Sequence, residues 1–165
     1  MGVVYLKVVE NSIAFPNNRL QAKEVAGVTG QYVHNIDTKN RLFMPAKLRE
    51  ELGGHFYLTI GQDHCLSVYS EEAWQSAMEK MQELSYSKVK ALRLMFAYTS
   101  ECEPDSQGRI VVPAKLREYA KLEKEVVIVG SFGRVEIWNA QRWAEMEAEA
   151  FDSGSLELAM EEIGL

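Results

Sequence analysis

The chain contains 165 residues, of which 47% are hydrophobic and 25% are charged, so it is long enough to bury one core or two small ones. No stretch approaches the roughly 18 consecutive apolar residues that a membrane-spanning helix needs. The first residues lack the basic start, apolar run and small-residue cleavage site of a secretory signal. These features exclude a membrane protein and predict a folded cytoplasmic protein.

The charge is unevenly distributed along the chain. The formal net charge is −6 at pH 7, but residues 144–165 hold seven acidic residues and no lysine or arginine. The rest of the chain therefore carries a net charge of +1, which is compatible with a nucleic-acid partner. We expect residues 145–165 to form an acidic, solvated amphipathic helix or tail that lies away from such a partner or limits nonspecific binding to it.

Residue patterns typical of metal sites and enzymes are missing from the sequence. Cys65 and Cys102 stand alone, without the paired spacing of a zinc site, and the adjacent His64 and Cys65 would point to opposite faces of a strand. There is no Ser/His/Asp order, no pair of catalytic carboxylates and no glycine-rich phosphate loop. We therefore predict two buried thiols and expect no enzymatic activity, metal, cofactor or small-molecule substrate.

A segment of fourteen residues occurs twice. Residues 37–50 (DTKNRLFMPAKLRE) recur as residues 105–118 (DSQGRIVVPAKLRE), with eight identical positions at an offset of 68. The match resumes one residue out of step, where Gly61 corresponds to Gly130 and Trp74 to Trp143. The chain is therefore a duplicated module.

Both copies predict the same order of elements: a strand, a tight turn, a strand, a short helix and two further strands. Pro45 and Pro113 favour the first helical position, because the N–H that proline lacks would have no partner there. Ser70 and Asn139 suit the N-caps of the helices that follow the last strands. The predicted strands are 32–36, 41–44, 56–60 and 66–69, then the stretch before Asp105, 109–112, 126–129 and 135–138.

Local chemistry specifies the turn between the first two strands of each copy. Asp37 and Asp105 can accept hydrogen bonds from backbone N–H groups of the turn. Asn40 and Gly108 occupy the position that requires a positive φ, which asparagine and glycine adopt most easily. The residue that follows is an arginine in both copies, so a stiff turn aims its side chain.

One module of about forty residues would expose sheet edges and a thin apolar face, so we expect the two copies to complete one another's sheet in an intertwined domain. Between the copies, apolar residues recur at helical spacing from Trp74 to Leu84 and from Leu92 to Phe96. They predict two linker helices that pack in the core or against another subunit, rather than a ligand site. The predicted organisation is a non-native or disordered extension (1–28), the first module (29–75), linker helices (76–100), the second module (101–144) and the acidic tail (145–165).

With these residues in view, the chain resembles the MraZ family, whose members contain two AbrB-like swapped-hairpin modules. The resemblance covers roughly residues 29–165. A duplicated pattern of this length is far more specific than a single short motif. It implies an α+β, β-rich fold in which the tandem modules form one pseudo-twofold barrel with linker and C-terminal helices. The resemblance rests on Gly30–Asp37 leading into Arg41, the paired PAKLRE segments, Ser100–Asp105 and Glu136–Trp138.

The resemblance also implies a function. Family members bind double-stranded DNA at short G-rich direct repeats in the promoter of a cell-division and cell-wall gene cluster, usually as control of their own operon, and they form closed homo-oligomeric rings. The family's DNA-contacting Asp-x-x-x-Arg signature falls on Asp37 and Arg41 and on Asp105 and Arg109. Asn40 departs from the glycine that is common in the family, but it still tolerates a positive φ. The implied protein is a nucleoid-associated transcription regulator.

Arginine suits a G-rich target because it donates two hydrogen bonds to O6 and N7 of guanine in the major groove. We expect the first turn to be the main reader, since it carries Lys39 where the second has Gln107. The alternative is that each arginine only forms a buried pair with the aspartate of its own copy. Basic residues of the short helices are expected to contact phosphates, or else to form an ordinary solvated face: Lys47, Arg49, Lys115 and Arg117.

Two further questions stay open at this point. The alternative function is a ring-forming interaction scaffold, or an AbrB-like antitoxin that acts through a partner.

Residues 1–27 have no counterpart in the family pattern. Because Lys23–Val25 can be encoded by a ribosome-binding sequence and Val28 by a GTG start codon, we expect that translation starts at Val28 and that the preceding segment is not native.

Overall fold

The computed structural model describes residues 28–165, and the predictions for residues 1–27 lie outside the described residues. The fold is α+β, with a mostly antiparallel sheet and helices that follow each run of strands. The first copy contains β1 (Gln31–Asn35), β2 (Arg41–Phe43), α1 (Ala46–Leu52), β3 (Phe56–Ile60), a 3-10 turn (Gln62–His64) and β4 (Leu66–Ser70). The linker contains α2 (Glu71–Gln82), α3 (Tyr86–Ala91) and α4 (Arg93–Tyr98). The rest contains β5 (Ser100–Cys102), β6 (Arg109–Val111), α5 (Ala114–Tyr119), β7 (Glu125–Ser131), β8 (Arg134–Asn139), α6 (Ala140–Asp152) and α7 (Ser155–Glu162).

The strands of the two copies are interleaved. They form a six-stranded sheet in the order β1-β7-β8-β4-β3-β5 and a separate two-stranded ribbon of β2 and β6. Four of the six pairings join strands of different copies: β1 with β7, β3 with β5, β4 with β8, and β2 with β6. Within the described chain, only β3–β4 and β7–β8 pair inside one copy. The two modules therefore share one sheet.

The buried core also belongs to both copies. The inward side chains of the ribbon, Leu42 and Ile110, lie in the same apolar cluster as Phe56 and Ile128 from the sheet. Because this cluster is continuous, neither module has a separate core to support it alone. The shared core and sheet confirm the predicted α+β fold of tandem, intertwined modules.

The helix starts show one small error in the sequence-based prediction. Pro45 and Pro113 are the N-caps, so α1 and α5 begin one residue later than predicted. The cause is the extended ψ of the two prolines, 137° and 147°, which leaves each carbonyl to accept the first hydrogen bonds of its helix. The caps predicted at the next helices are present, since Ser70 accepts from the N–H of Ala73 and Asn139 accepts from that of Gln141.

The linker contains three helices where two were predicted. The second predicted helix corresponds to α4, and the additional helix is α3, which ends just before Leu92. At the end of α4, the hydroxyl of Thr99 donates to the carbonyl of Met95 at 2.7 Å. The C-terminal helices α6 and α7 are separated at Gly154, which has a φ of 69°. None of the helices between residues 28 and 165 is long and apolar enough to cross a membrane.

Candidate nucleic-acid interface

The turn from β1 to β2 is organised by one carboxylate. Oδ1 of Asp37 accepts from the backbone N–H groups of Lys39 and Arg41, both at 2.9 Å, and Oδ2 accepts from Nε of Arg41 at 2.7 Å. Asn40 has a φ of 61° and donates its backbone N–H to the carbonyl of Asp37 at 2.9 Å. Because the charged carboxylate accepts these bonds, chiefly the one from the Arg41 N–H, the pKa of Asp37 is lowered.

The turn from β5 to β6 has the same geometry. Oδ1 of Asp105 accepts from the N–H groups of Gln107 and Arg109 at 2.9 Å, and Oδ2 accepts from Nε of Arg109 at 2.9 Å. Gly108 has a φ of 77°. The pKa of Asp105 is lowered for the same reason, with the Arg109 N–H as the largest cause. Both arginines thus pair with the aspartate of their own copy, as in the alternative interpretation of the sequence, but the two pairs are partly exposed rather than buried.

Each turn is also bonded to the other copy. The carbonyl of Gly108 accepts from the N–H of Met44 at 2.9 Å, and the carbonyl of Asn40 accepts from the N–H of Val112 at 2.9 Å. The positive-φ residue of each turn therefore accepts a hydrogen bond from the residue that directly follows the ribbon strand of the other copy. As a result, the two turns and the ribbon form one rigid unit.

The ribbon register brings the two arginines to one face. Arg41 pairs with Val111, Leu42 with Ile110, and Phe43 with Arg109. Side chains alternate between the two faces of a strand, and the central pair points into the core. The outward side chains, here called the ribbon face, are Arg41, Phe43, Arg109 and Val111.

The side chains of the ribbon face differ in exposure. Those of Arg41 and Arg109 are 29% and 26% exposed, while Phe43 is 37% and Val111 is 59% exposed. The Phe43 ring lies 5.2 Å from the ring of His34, centroid to centroid. This face therefore combines two cations, each fixed by an aspartate, with two apolar side chains.

The other predicted DNA-binding residues fall into two groups. Arg49 and Arg117 are half-buried, and their Nε atoms donate to the carbonyls of Met44 at 2.9 Å and Val112 at 3.1 Å. The Nε atom of each arginine therefore donates to a carbonyl within the protein. On a freely solvated helix face, these atoms would donate to water instead. Three lysines are exposed: Lys39, Lys47 and Lys115, the last with Nζ 3.6 Å from Oε2 of Glu118.

Sequence reasoning missed the apolar half of the ribbon face. The alternation of a strand already predicts that Phe43 shares a face with Arg41, and Val111 with Arg109. This alternation could therefore have identified Phe43 and Val111 from the sequence. The pairing of β2 with β6, which brings all four side chains to one surface, is a long-range contact that no local pattern specifies.

Comparison with known proteins agrees with this duplicated architecture. The family model described as "MraZ protein, putative antitoxin-like" matches residues 28–94 and again residues 95–162. The chain belongs to the MraZ family. Each of the two MraZ matches contains one strand of the ribbon and one arginine of the ribbon face.

Curated MraZ relatives cover most of the chain. It is 50% identical over 127 residues to the transcriptional regulator MraZ of Heliobacterium modesticaldum, a match that spans 75% of this chain and 89% of the relative. It is 50% identical over 117 residues to that of Carboxydothermus hydrogenoformans, spanning 69% and 82%. It is 44% identical over 140 residues to that of Halothermothrix orenii, spanning 82% and 98%.

Proposed function

We propose that this MraZ chain is a transcription regulator that binds double-stranded promoter DNA through the ribbon face. Its MraZ relatives are named transcriptional regulators. The observation that carries the proposal is the presence of Arg41 and Arg109 on one outward face, each oriented by a carboxylate of its own turn.

The aspartate pairing supports DNA recognition rather than opposing it. Asp37 and Asp105 hold the Nε atoms, which fixes the plane of each guanidinium group. The terminal nitrogens then point along a defined direction and can donate to O6 and N7 of one guanine. A side chain ordered before binding loses less conformational entropy when it binds.

The dimensions of the ribbon suit the major groove. That groove is about 12 Å wide and admits a two-stranded ribbon, whose strands lie about 4.8 Å apart. Lys47 and Lys115 are exposed on the helices that follow the two ribbon strands, where they can contact phosphates together with the terminal nitrogens of Arg49 and Arg117. Lys39 adds a charge to the first turn, so we expect that turn to be the main reader.

One ribbon contacts few base pairs, so we propose that binding depends on several ribbons contacting several DNA repeats. In a homo-oligomeric ring, several ribbons would engage short G-rich direct repeats, and each contact would raise the effective concentration of the next. The target we propose is the promoter of a cell-division and cell-wall gene cluster that includes the chain's own gene. We accordingly expect the protein in the cytoplasm, associated with the nucleoid.

The test is a titration of the purified protein against DNA from upstream of its own gene and against a scrambled duplex, over a series of salt concentrations. Loss of one bidentate contact corresponds to roughly 5- to 150-fold in preference, so Arg41→Ala should lower the preference for the upstream DNA by a factor in this range. Arg93→Ala, which removes an exposed arginine of α4, is the matched control and should bind like the wild type. Equal binding of the two duplexes at every salt concentration would contradict the proposal.

A second candidate function is supported by the antitoxin-like description of the family and by exposed apolar side chains on the C-terminal helices. Phe151, Leu158 and Ile163 are 59%, 63% and 74% exposed. In this case the protein would be an interaction scaffold or an antitoxin that acts through a partner. If Arg41→Ala lowers the preference for the upstream DNA by the expected factor while light scattering shows an unchanged oligomer, the regulator is favoured over the scaffold.

A further inference from the structure

We propose that Val111 is a specificity-determining residue of the ribbon face, which contacts the methyl group of a thymine next to the guanine that Arg41 contacts. This inference rests on the proposed DNA-binding function and deepens it. The ribbon register adds an apolar group directly beside each arginine.

The register sets the spacing between the two contacts. Val111 is the direct cross-strand partner of Arg41, and such partners have Cβ atoms about 5 Å apart. Successive base pairs are about 3.4 Å apart along the helix axis. The guanidinium group of Arg41 and the methyl groups of Val111 can therefore contact neighbouring base pairs within one groove.

The chemistry of the groove selects the ligand. In the major groove, bases present nitrogen and oxygen atoms that form hydrogen bonds, and thymine also presents its C5 methyl group. Val111 has no polar atom, so the thymine methyl is the base group that suits it. Its β-branched side chain is also stiff about χ1 and loses little freedom on contact.

The two copies differ at this position. Phe43 occupies the equivalent place in the first copy, but its ring lies beside His34, and Cζ of Arg49 is 5.7 Å from the ring centroid. Val111 is more exposed, at 59% against 37%. We therefore assign the methyl contact to Val111, so that the pair Arg41 and Val111 recognises a guanine with a neighbouring thymine.

The experiment uses the full chain and DNA from upstream of its own gene, amplified once with dTTP and once with dUTP. Deoxyuridine pairs like thymidine but lacks the methyl group. The variants are Val111→Ala and Val111→Thr, the second of which keeps the β-branch if the first disturbs folding. Val33→Ala is the matched control, because Val33 is a valine of similar exposure, 57%, that lies on β1 outside the ribbon face.

Wild type and Val33→Ala should bind the uracil DNA about fourfold or more weakly than the thymine DNA, the factor expected for loss of one buried methyl contact. Val111→Ala should bind the thymine DNA more weakly and should lose most of the difference between the two DNAs, while Val111→Thr, which keeps one of the two methyl groups, should lose a smaller part of it. Equal wild-type binding to both DNAs, or a full difference in the Val111 variants, would overturn the assignment. A wild type that does not distinguish the upstream DNA from a scrambled duplex would instead refute the proposed function, and this inference with it.

Discussion

The guanidinium group of Arg49 lies against Gly108, although the two residues belong to different copies of the module. A Cβ added to Gly108 would come within 2.8 Å of Cζ of Arg49. The carbonyl of Gly108 accepts from the N–H of Met44, and the carbonyl of Met44 accepts from Nε of Arg49. The turn of the second copy is therefore packed against the helix of the first.

Gly108→Ala should destabilise the protein by about 2–3 kcal/mol. About 1–2 kcal/mol comes from placing a β-carbon at a φ of 77°, and about 1 kcal/mol from disturbing the hydrogen bond of Arg49. Urea denaturation followed by circular dichroism measures the difference. Gly108→Asn separates the two causes, because asparagine tolerates a positive φ but still places a Cβ against Arg49.

A double-mutant cycle with Arg49→Ala tests the contact between the new Cβ and the Arg49 guanidinium group separately. Removing the guanidinium group opens the space that the new Cβ would enter, so Gly108→Ala should cost less in the Arg49→Ala background. An equal cost in both backgrounds would show that backbone strain alone is responsible.

The two turn aspartates, Asp37 and Asp105, should make the stability of the protein depend on pH. Their pKa values are lowered in the folded protein, so their contribution is present above the ordinary aspartate pKa of 3.8 and is lost as the pH falls through the lowered values. Melting temperatures of wild type and the double variant Asp37→Asn/Asp105→Asn should therefore differ at neutral pH and converge as the pH falls below 3.8. A difference that grows on acidification would refute this explanation.

The carboxylate of Glu136 accepts hydrogen bonds from two other residues of β8, and Glu136 is 8% exposed. Its Oε1 accepts from both Nε and Nη2 of Arg134, at 3.1 Å and 2.7 Å, and its Oε2 accepts from Nε1 of Trp138 at 3.0 Å. Arg134→Ala should cost about 1–3 kcal/mol, because it leaves a largely buried carboxylate with fewer donors. Arg134→Lys, which keeps the charge but loses the two-pronged contact, should cost less in denaturant titrations followed by Trp fluorescence. Equal costs would contradict this prediction, because they would mean that a positive charge without the guanidinium hydrogen bonds does not stabilise Glu136.

The two cysteines should be inert in the folded protein. Burial raises the pKa of Cys65 to about 12 and that of Cys102 to about 11, so very little thiolate exists at pH 8. Both should react slowly with iodoacetamide in buffer and rapidly in concentrated urea, as mass spectrometry of the labelled peptides would show. Rapid labelling of either cysteine without urea would contradict its burial.

Much of the fold could be predicted from the sequence because the signals are local. The strands of both copies, the caps at Ser70 and Asn139 and the need for a positive φ at Asn40 and Gly108 depend on residues a few positions apart. The misplaced helix starts are differences at element ends, where local preferences are weakest. The additional helix α3 lies between the two stretches with helical spacing.

The sequence by itself thus determined that two similar modules exist and that each turn has an aspartate four residues before an arginine. Only the tertiary structure decided that β2 pairs with β6, that Val111 lies opposite Arg41 and that Arg49 packs on Gly108. The physical reason is the range of the interactions. A turn is stabilised by bonds within five residues, whereas the ribbon register depends on the burial of Leu42 and Ile110 in a core that both copies must build together.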